Sequence, residues 1–255
     1  MNDRWMIIGG LTGITLLAWA YTIYMVQNMG INLGIGICSV LPYDWQPTDF
    51  VLVFAMWTVM MIAMMGPAVA PFLLLFAKIN QQKLNQPTKA NSFVPTSFFF
   101  IGYLAVWTVY SAVATFAQWG LHSFTLISPE MISTSPYLGG VLLIGAGLFQ
   151  WSPLKYACLD HCRSPLGFLL TEWRDGKRGA IMMGLHHGYD CMICCWLLMA
   201  LLFVAGVMNL LWMGIITALI LIEKLVPAGD KLGRIAGIGF IVWGIWLMAT
   251  GTTYV

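Results

Sequence analysis

Residues 181–204 read IMMGLHHGYDCMICCWLLMALLFV, a stretch without lysine or arginine in which Asp190 is the one carboxylate. A helix rises 1.5 Å per residue, so about 20 residues cross the roughly 30 Å hydrocarbon layer of a bilayer. This stretch is long enough, and it is one of several. Apolar runs recur at about 5–26, 50–76, 95–119, 136–149, 211–226 and 235–249, with most charges between them. The chain of 255 residues is 60% hydrophobic and 9% charged, with a mean hydropathy of +0.82, whereas an ordinary soluble domain carries about 25% charge. The pattern predicts an all-α polytopic transmembrane helix bundle of about seven helices, forming a single integral membrane domain over residues 1–255.

The loops predict the orientation. Lys78, Lys83 and Lys89 follow the second run, Lys155 to Arg178 follow the fourth, and Lys224 to Arg234 follow the sixth. The alternate connections, around 27–49, His122 to Glu130 and Gly206 to Asn209, hold no lysine or arginine. Cytoplasmic loops carry the basic excess, so the N-terminus and the 155–180 loop between the fourth and fifth helices belong inside. The expected location is a bacterial or archaeal cytoplasmic membrane. The first run exceeds the roughly 7–15 residues of a signal-peptide core and is read as a retained helix. The 27–49 segment is too polar to span, although a short or re-entrant element near 31–40 stays open. A net charge of +2 without a lysine and arginine cluster among aromatics excludes nucleic acid as a partner class, leaving the lipid bilayer. Gly9/Gly13, Gly184/Gly188 and Gly233/Gly237 have the spacing that permits close helix contact.

Five of the six cysteines, Cys158, Cys162, Cys191, Cys194 and Cys195, fall in one part of the chain, and Cys38 lies apart. Cys158 and Cys162 are four residues apart, and His187, Cys191, Cys194 and Cys195 share one helical face. Both groups are expected at the cytoplasmic level of the membrane, where a reducing compartment disfavours disulfides. They are either packed small hydrophobes or one shared soft-metal site. Four thiolates suit zinc or an iron-sulfur centre, whereas two or three, with or without thioether, suit cuprous copper. Met56, Met60 and Met64 form an i, i+4, i+8 line, with Met61 and Met65 beside it. As ligands they would extend the thiols into a route across the bilayer, which favours copper; as gap-fillers they are ordinary core. Such a route requires the second, fourth and fifth helices to be neighbours. Pro67 and Pro71 interrupt the second helix after the methionines.

The remaining polar residues carry simpler expectations. Asp190 is expected to accept from His186 or His187, and Glu223 and Lys224 to anchor a helix end at the interface. Gln118 and Gln150 lie at span ends where no partner is required, and His161 points away from the face shared by Cys158 and Cys162.

Several motifs together resemble an uncharacterised family of predicted metal-binding integral membrane proteins (domain of unknown function 2182): Trp57 to Met65 with Pro67 and Pro71, Gln150 to Cys158, His161 to Phe168, and Trp173 to Gly176. The resemblance continues through His187-Gly188, Cys191, Cys194 to Trp196, Gly206 to Leu210, and Glu223-Lys224. It implies membrane location and metal binding by the cysteine constellation, without a reaction. Asp190 departs from the uncharged residue expected there.

These readings favour a protein that binds cuprous copper for transfer or transport and exchanges it with a membrane copper enzyme or a metal-delivery protein, with no catalysis of its own. No nucleotide-binding loop or phosphorylatable-aspartate motif is present to drive pumping. Two alternatives stand: an accessory subunit of a membrane oxidoreductase whose metal site staples helices, and a thiol redox protein using the C-x-x-C pair Cys191 and Cys194.

Overall fold

A computed structural model describes residues 2–28, 45–84, 94–127 and 133–252. Cys38, Lys89 and the stretch near 31–40 lie outside them. The described residues are almost entirely helical: α1 (Asn2–Asn28), α2 (Pro47–Met65), α3 (Ala70–Leu84), α4 (Ser97–Ser123), α5 (Pro136–Phe149), α6 (Pro153–Arg163), α7 (Pro165–Thr171), α8 (Gly176–Ala200), α9 (Leu202–Ala205), α10 (Leu210–Leu225) and α11 (Gly229–Thr250).

Local chemistry sets the boundaries. Pro47, Pro136, Pro153 and Pro165 each stand at the first position of a helix, where a missing N–H costs nothing. The side chains of Ser152 and Asn209 cap α6 and α10, accepting from the backbone N–H groups of Leu154 at 3.2 Å and Trp212 at 3.1 Å. Pro67 lacks a donor, and the second apolar run accordingly breaks into α2, a 3-10 turn at Pro67–Val69, and α3. The run expected as a fourth helix divides at Ser152-Pro153, where α5 and α6 meet at a 64° bend. Residues 155–180 form most of α6, all of α7 and the first turn of α8.

Among the described residues, five stretches are long and apolar enough to cross a membrane: Arg4–Gln27, Pro47–Met65, Ser97–Ser123, Gly176–Ala205 and Gly229–Thr250. The bent pair α5 and α6 can form a sixth. The 16 residues of α10 rise about 24 Å, short of the roughly 30 Å core. Aliphatic side chains such as Leu16, Val109, Val141 and Val242 stand exposed around the bundle.

Basic residues collect at one end. Arg4 and Lys78 line one groove together with Pro165 of α7. Arg163 meets Asp230 at 3.6 Å, Lys177 sits over the ring of Phe98 at the start of α4, and Arg234 sits over Tyr156. At the other end, Trp45 donates to His122 at 3.3 Å and brings the start of α2 to the end of α4.

The expected neighbours of the fifth helix are found: α5 and α6 pack on α8, and the second apolar run reaches it where Phe72 stacks on His187 at 3.7 Å and Trp57 meets Phe203 at 5.3 Å between ring centroids. The most extensive pairings were not expected. The long partner of α8 is α4, α2 packs on α4 and α1, and α5 runs along α11. Glycine explains the choice. A Cβ on Gly102 would strike the Ile181 carbonyl of α8, and one on Gly184 would strike the Phe99 carbonyl of α4, so these backbones touch only because both positions are bare. Gly147 and Gly237 do the same for α5 and α11. The Gly184/Gly188 and Gly233/Gly237 pairs thus face tight contacts, whereas Gly9 and Gly13 have no neighbour within 4 Å.

Candidate metal centre

The buried face of α8 presents His187, Asp190, Cys191, Cys194 and Cys195 in two consecutive turns. The bend before α6 returns that short helix against α8 and carries Cys162 into the core. Cys162 lies close enough to Cys191 and Cys194 to interact with them electrostatically, and Cys195 does so with the same two. Four thiols from two helices therefore form one buried cluster. Cys158, one helical turn earlier, is half-buried and within electrostatic reach of Asp190 and Cys194.

Two further elements close on Cys191. The Tyr103 hydroxyl on α4 lies 3.1 Å from its sulfur and donates to the Met65 carbonyl at 3.0 Å, tying the end of α2 to the cluster. The Lys224 ammonium on α10 stands 2.7 Å from the same sulfur. Lys224 is buried and is absent from the ion pairs formed among the described residues. Its neighbour Glu223 turns the other way and pairs with Lys155 of α6 at 2.7 Å, with Gln150 also accepting from Lys155.

These contacts correct the simpler expectations. Glu223 and Lys224 are not interface anchors: both are buried, because each has an opposite or polarisable partner on a neighbouring helix. Asp190 pairs with His161 at 3.1 Å rather than with His186 or His187, and His186 faces Glu172 at 3.4 Å. His161 is thus turned to α8. Gln118 and Gln150 are buried; their Oε1 atoms accept from Trp57 at 2.7 Å and from Lys155, while their Nε2 atoms have no hydrogen-bond partner.

The ligand geometry is unfinished. Among the described residues, no three histidine, cysteine, aspartate or glutamate side chains already stand in an arrangement that would hold a metal ion. The thiols are instead spent on local contacts: Cys194 and Cys195 donate to the Cys191 carbonyl at 3.1 and 2.8 Å. Rotation of a cysteine side chain releases either bond. The donor chemistry nevertheless fits a soft ion, and one of the five buried side-chain atoms without a hydrogen-bond partner among the described residues belongs to His187 on the same face of α8. His187 is stacked on Phe72 at 3.7 Å between ring centroids, and its Nδ1 is buried without a hydrogen-bond partner.

Met56, Met60 and Met64 are all buried along α2, with Met61 and Met65 beside them. Tyr103, Lys155 and Lys224 were missed by sequence reasoning. The two lysines had a signal, a charge at the margin of an apolar run, while nothing distinguished Tyr103 from other aromatic residues of its helix.

Among the described residues, then, several helices are long and apolar enough to cross a membrane, and thiols of α6 and α8 are buried together. Residues 54–247 match the family model of PpoB2, described as a copper chaperone, and the chain belongs to that family. Neither the curated proteins nor the solved structures contain a match.

Proposed function

We propose that the chain is an integral membrane protein that carries cuprous copper as cargo, taking it up and handing it on. The observation that carries this reading is the convergence of Cys162 from α6 with Cys191, Cys194 and Cys195 from α8 inside the apolar bundle. Two or three of these sulfurs suit the low coordination of cuprous copper, and His187 offers a further soft-compatible donor. Cys158, half-buried at the edge of the cluster, serves as the first contact for the arriving ion. Breaking the weak thiol-to-carbonyl bonds of Cys194 and Cys195 lets the site form around its cargo and release it again, as hand-over between proteins requires.

The basic end of the bundle faces the cytoplasm, and α10 completes a seventh, short span. The ion moves between a metal-delivery protein and a membrane copper enzyme, with Met56, Met60 and Met64 as thioether donors toward the opposite side. Support for this path comes from Tyr103, whose hydroxyl joins the end of the methionine helix to Cys191.

Metal content of the protein purified under reducing conditions tests the reading. Copper in the wild type, with sharp loss in Cys191→Ser/Cys194→Ser at equal folded yield, is the expected result. Zinc or iron in place of copper would replace the copper reading with a structural site.

A further inference from the structure

Lys224 is the buried cation that the fold leaves without a carboxylate. Lys155 and Glu223 cancel one another, Asp190 has His161, and no other acidic side chain among the described residues pairs with Lys224. A lone ammonium in an apolar interior is costly unless an anion compensates it. The nearest candidate is the Cys191 sulfur at 2.7 Å. The adjacent residue on α10 cannot serve, since Glu223 is drawn to α6.

Resting on the copper reading, we infer that Lys224 is the fixed counter-charge of the copper site, neutralising the anionic pair of thiolates that binds a cuprous ion. Two thiolates and one cuprous ion carry a net charge of minus one, and the ammonium brings the group to zero. Without cargo, the Lys224 ammonium stands 2.7 Å from the Cys191 sulfur. When copper enters, Cu–S bonds form to Cys191 and to a neighbouring cysteine, and any proton these sulfurs still hold leaves to solvent. The loaded group of two thiolates, one cuprous ion and one ammonium carries no net charge. A third thiolate would break that balance, which makes Lys224 a residue that limits the number of sulfurs on the ion to two and leaves His187 or Tyr103 as neutral neighbours. The same charge keeps affinity from depending on an unpaired anion in hydrocarbon, where loading and release would be widely unequal in cost.

The test uses the full chain in lipid nanodiscs without oxygen, with cuprous affinity measured by competition against a chromogenic copper(I) chelator. Wild type, Lys224→Met, Lys224→Arg and the charge-neutral pair Lys155→Met/Glu223→Met are compared. Lys224→Met should bind at least about 100-fold more weakly, the scale expected for stranding one buried charge. Lys224→Arg and the Lys155/Glu223 pair should stay within about tenfold of wild type, since neither changes the net charge beside the thiols. Copper-edge X-ray absorption of the loaded wild type should count two sulfur ligands, a reading that does not depend on how any variant folds. Equal affinity in Lys224→Met, or three or more sulfurs in the wild type, overturns the counter-charge. A wild type that binds no cuprous ion overturns the copper reading itself.

Discussion

Lys155 on α6 and Glu223 on α10 form a buried ion pair at 2.7 Å, and the residue after Glu223 is the lysine that reaches Cys191. One turn of α10 thus holds α6 with a carboxylate and α8 with an ammonium.

Removing one partner of this pair should be far worse than removing both. Lys155→Met strands Glu223 in the core and should lower stability by about 3–5 kcal/mol, while Lys155→Met/Glu223→Met should recover most of the loss. Reversible unfolding in mixed micelles measures both, and a double variant as unstable as the single one would mean that the pair acts through packing alone.

The α4–α8 contact should tolerate no side chain at its bare positions. Gly184→Leu places its Cβ against the Phe99 carbonyl, and overpacking of this kind costs about 1–3 kcal/mol or more. Gly13→Leu, at a position with open space around it, should leave the folded yield near wild type. Monodisperse yield after extraction reports the contrast, and equal losses would show that the glycine contact is not what holds these helices.

What sequence could reveal divides along a physical line. Bilayer length and apolarity are properties of single segments, so the helices from 181–204 and 95–119 were legible almost to their ends, as was the break at Pro67. The cluster was legible in part because Cys191, Cys194, Cys195 and His187 are set by helical period within α8. Pairing was not, since the closest approach of α4 and α8 depends on Gly102 and Gly184 facing one another, and no period within either helix states that. For the same reason Lys224 looked like an interface anchor: its burial is decided by Cys191, 33 residues away along the chain.

Cysteine loss should separate by location. Cys162→Ser removes the sulfur that α6 contributes and should lower bound copper at equal folded yield, because the oxygen that replaces it is a hard donor. Cys38→Ser should leave copper stoichiometry unchanged. Elemental analysis of both variants decides the matter: unchanged copper in Cys162→Ser would confine the site to α8.

The methionines permit the sharpest separation of packing from ligation. Met56, Met60 and Met64 are buried in the core of α2, so a large stability loss on truncation would say nothing about metal. Leucine keeps nearly the same volume and removes only the sulfur, and such swaps usually cost less than about 1.5 kcal/mol each. Met56→Leu/Met60→Leu/Met64→Leu should therefore fold, and it should load copper at the thiol cluster as the wild type does, because the proposed cluster is made of Cys162, Cys191, Cys194 and Cys195. If the thioethers carry the ion toward the opposite side, the variant should pass it on more slowly. Proteoliposomes holding a copper(I) indicator inside, loaded from outside with a copper(I) donor, would show this as reduced entry with unchanged binding. Unchanged entry would return the three methionines to the role of core filler and restrict copper handling to the end of the bundle where Cys158 is half-buried.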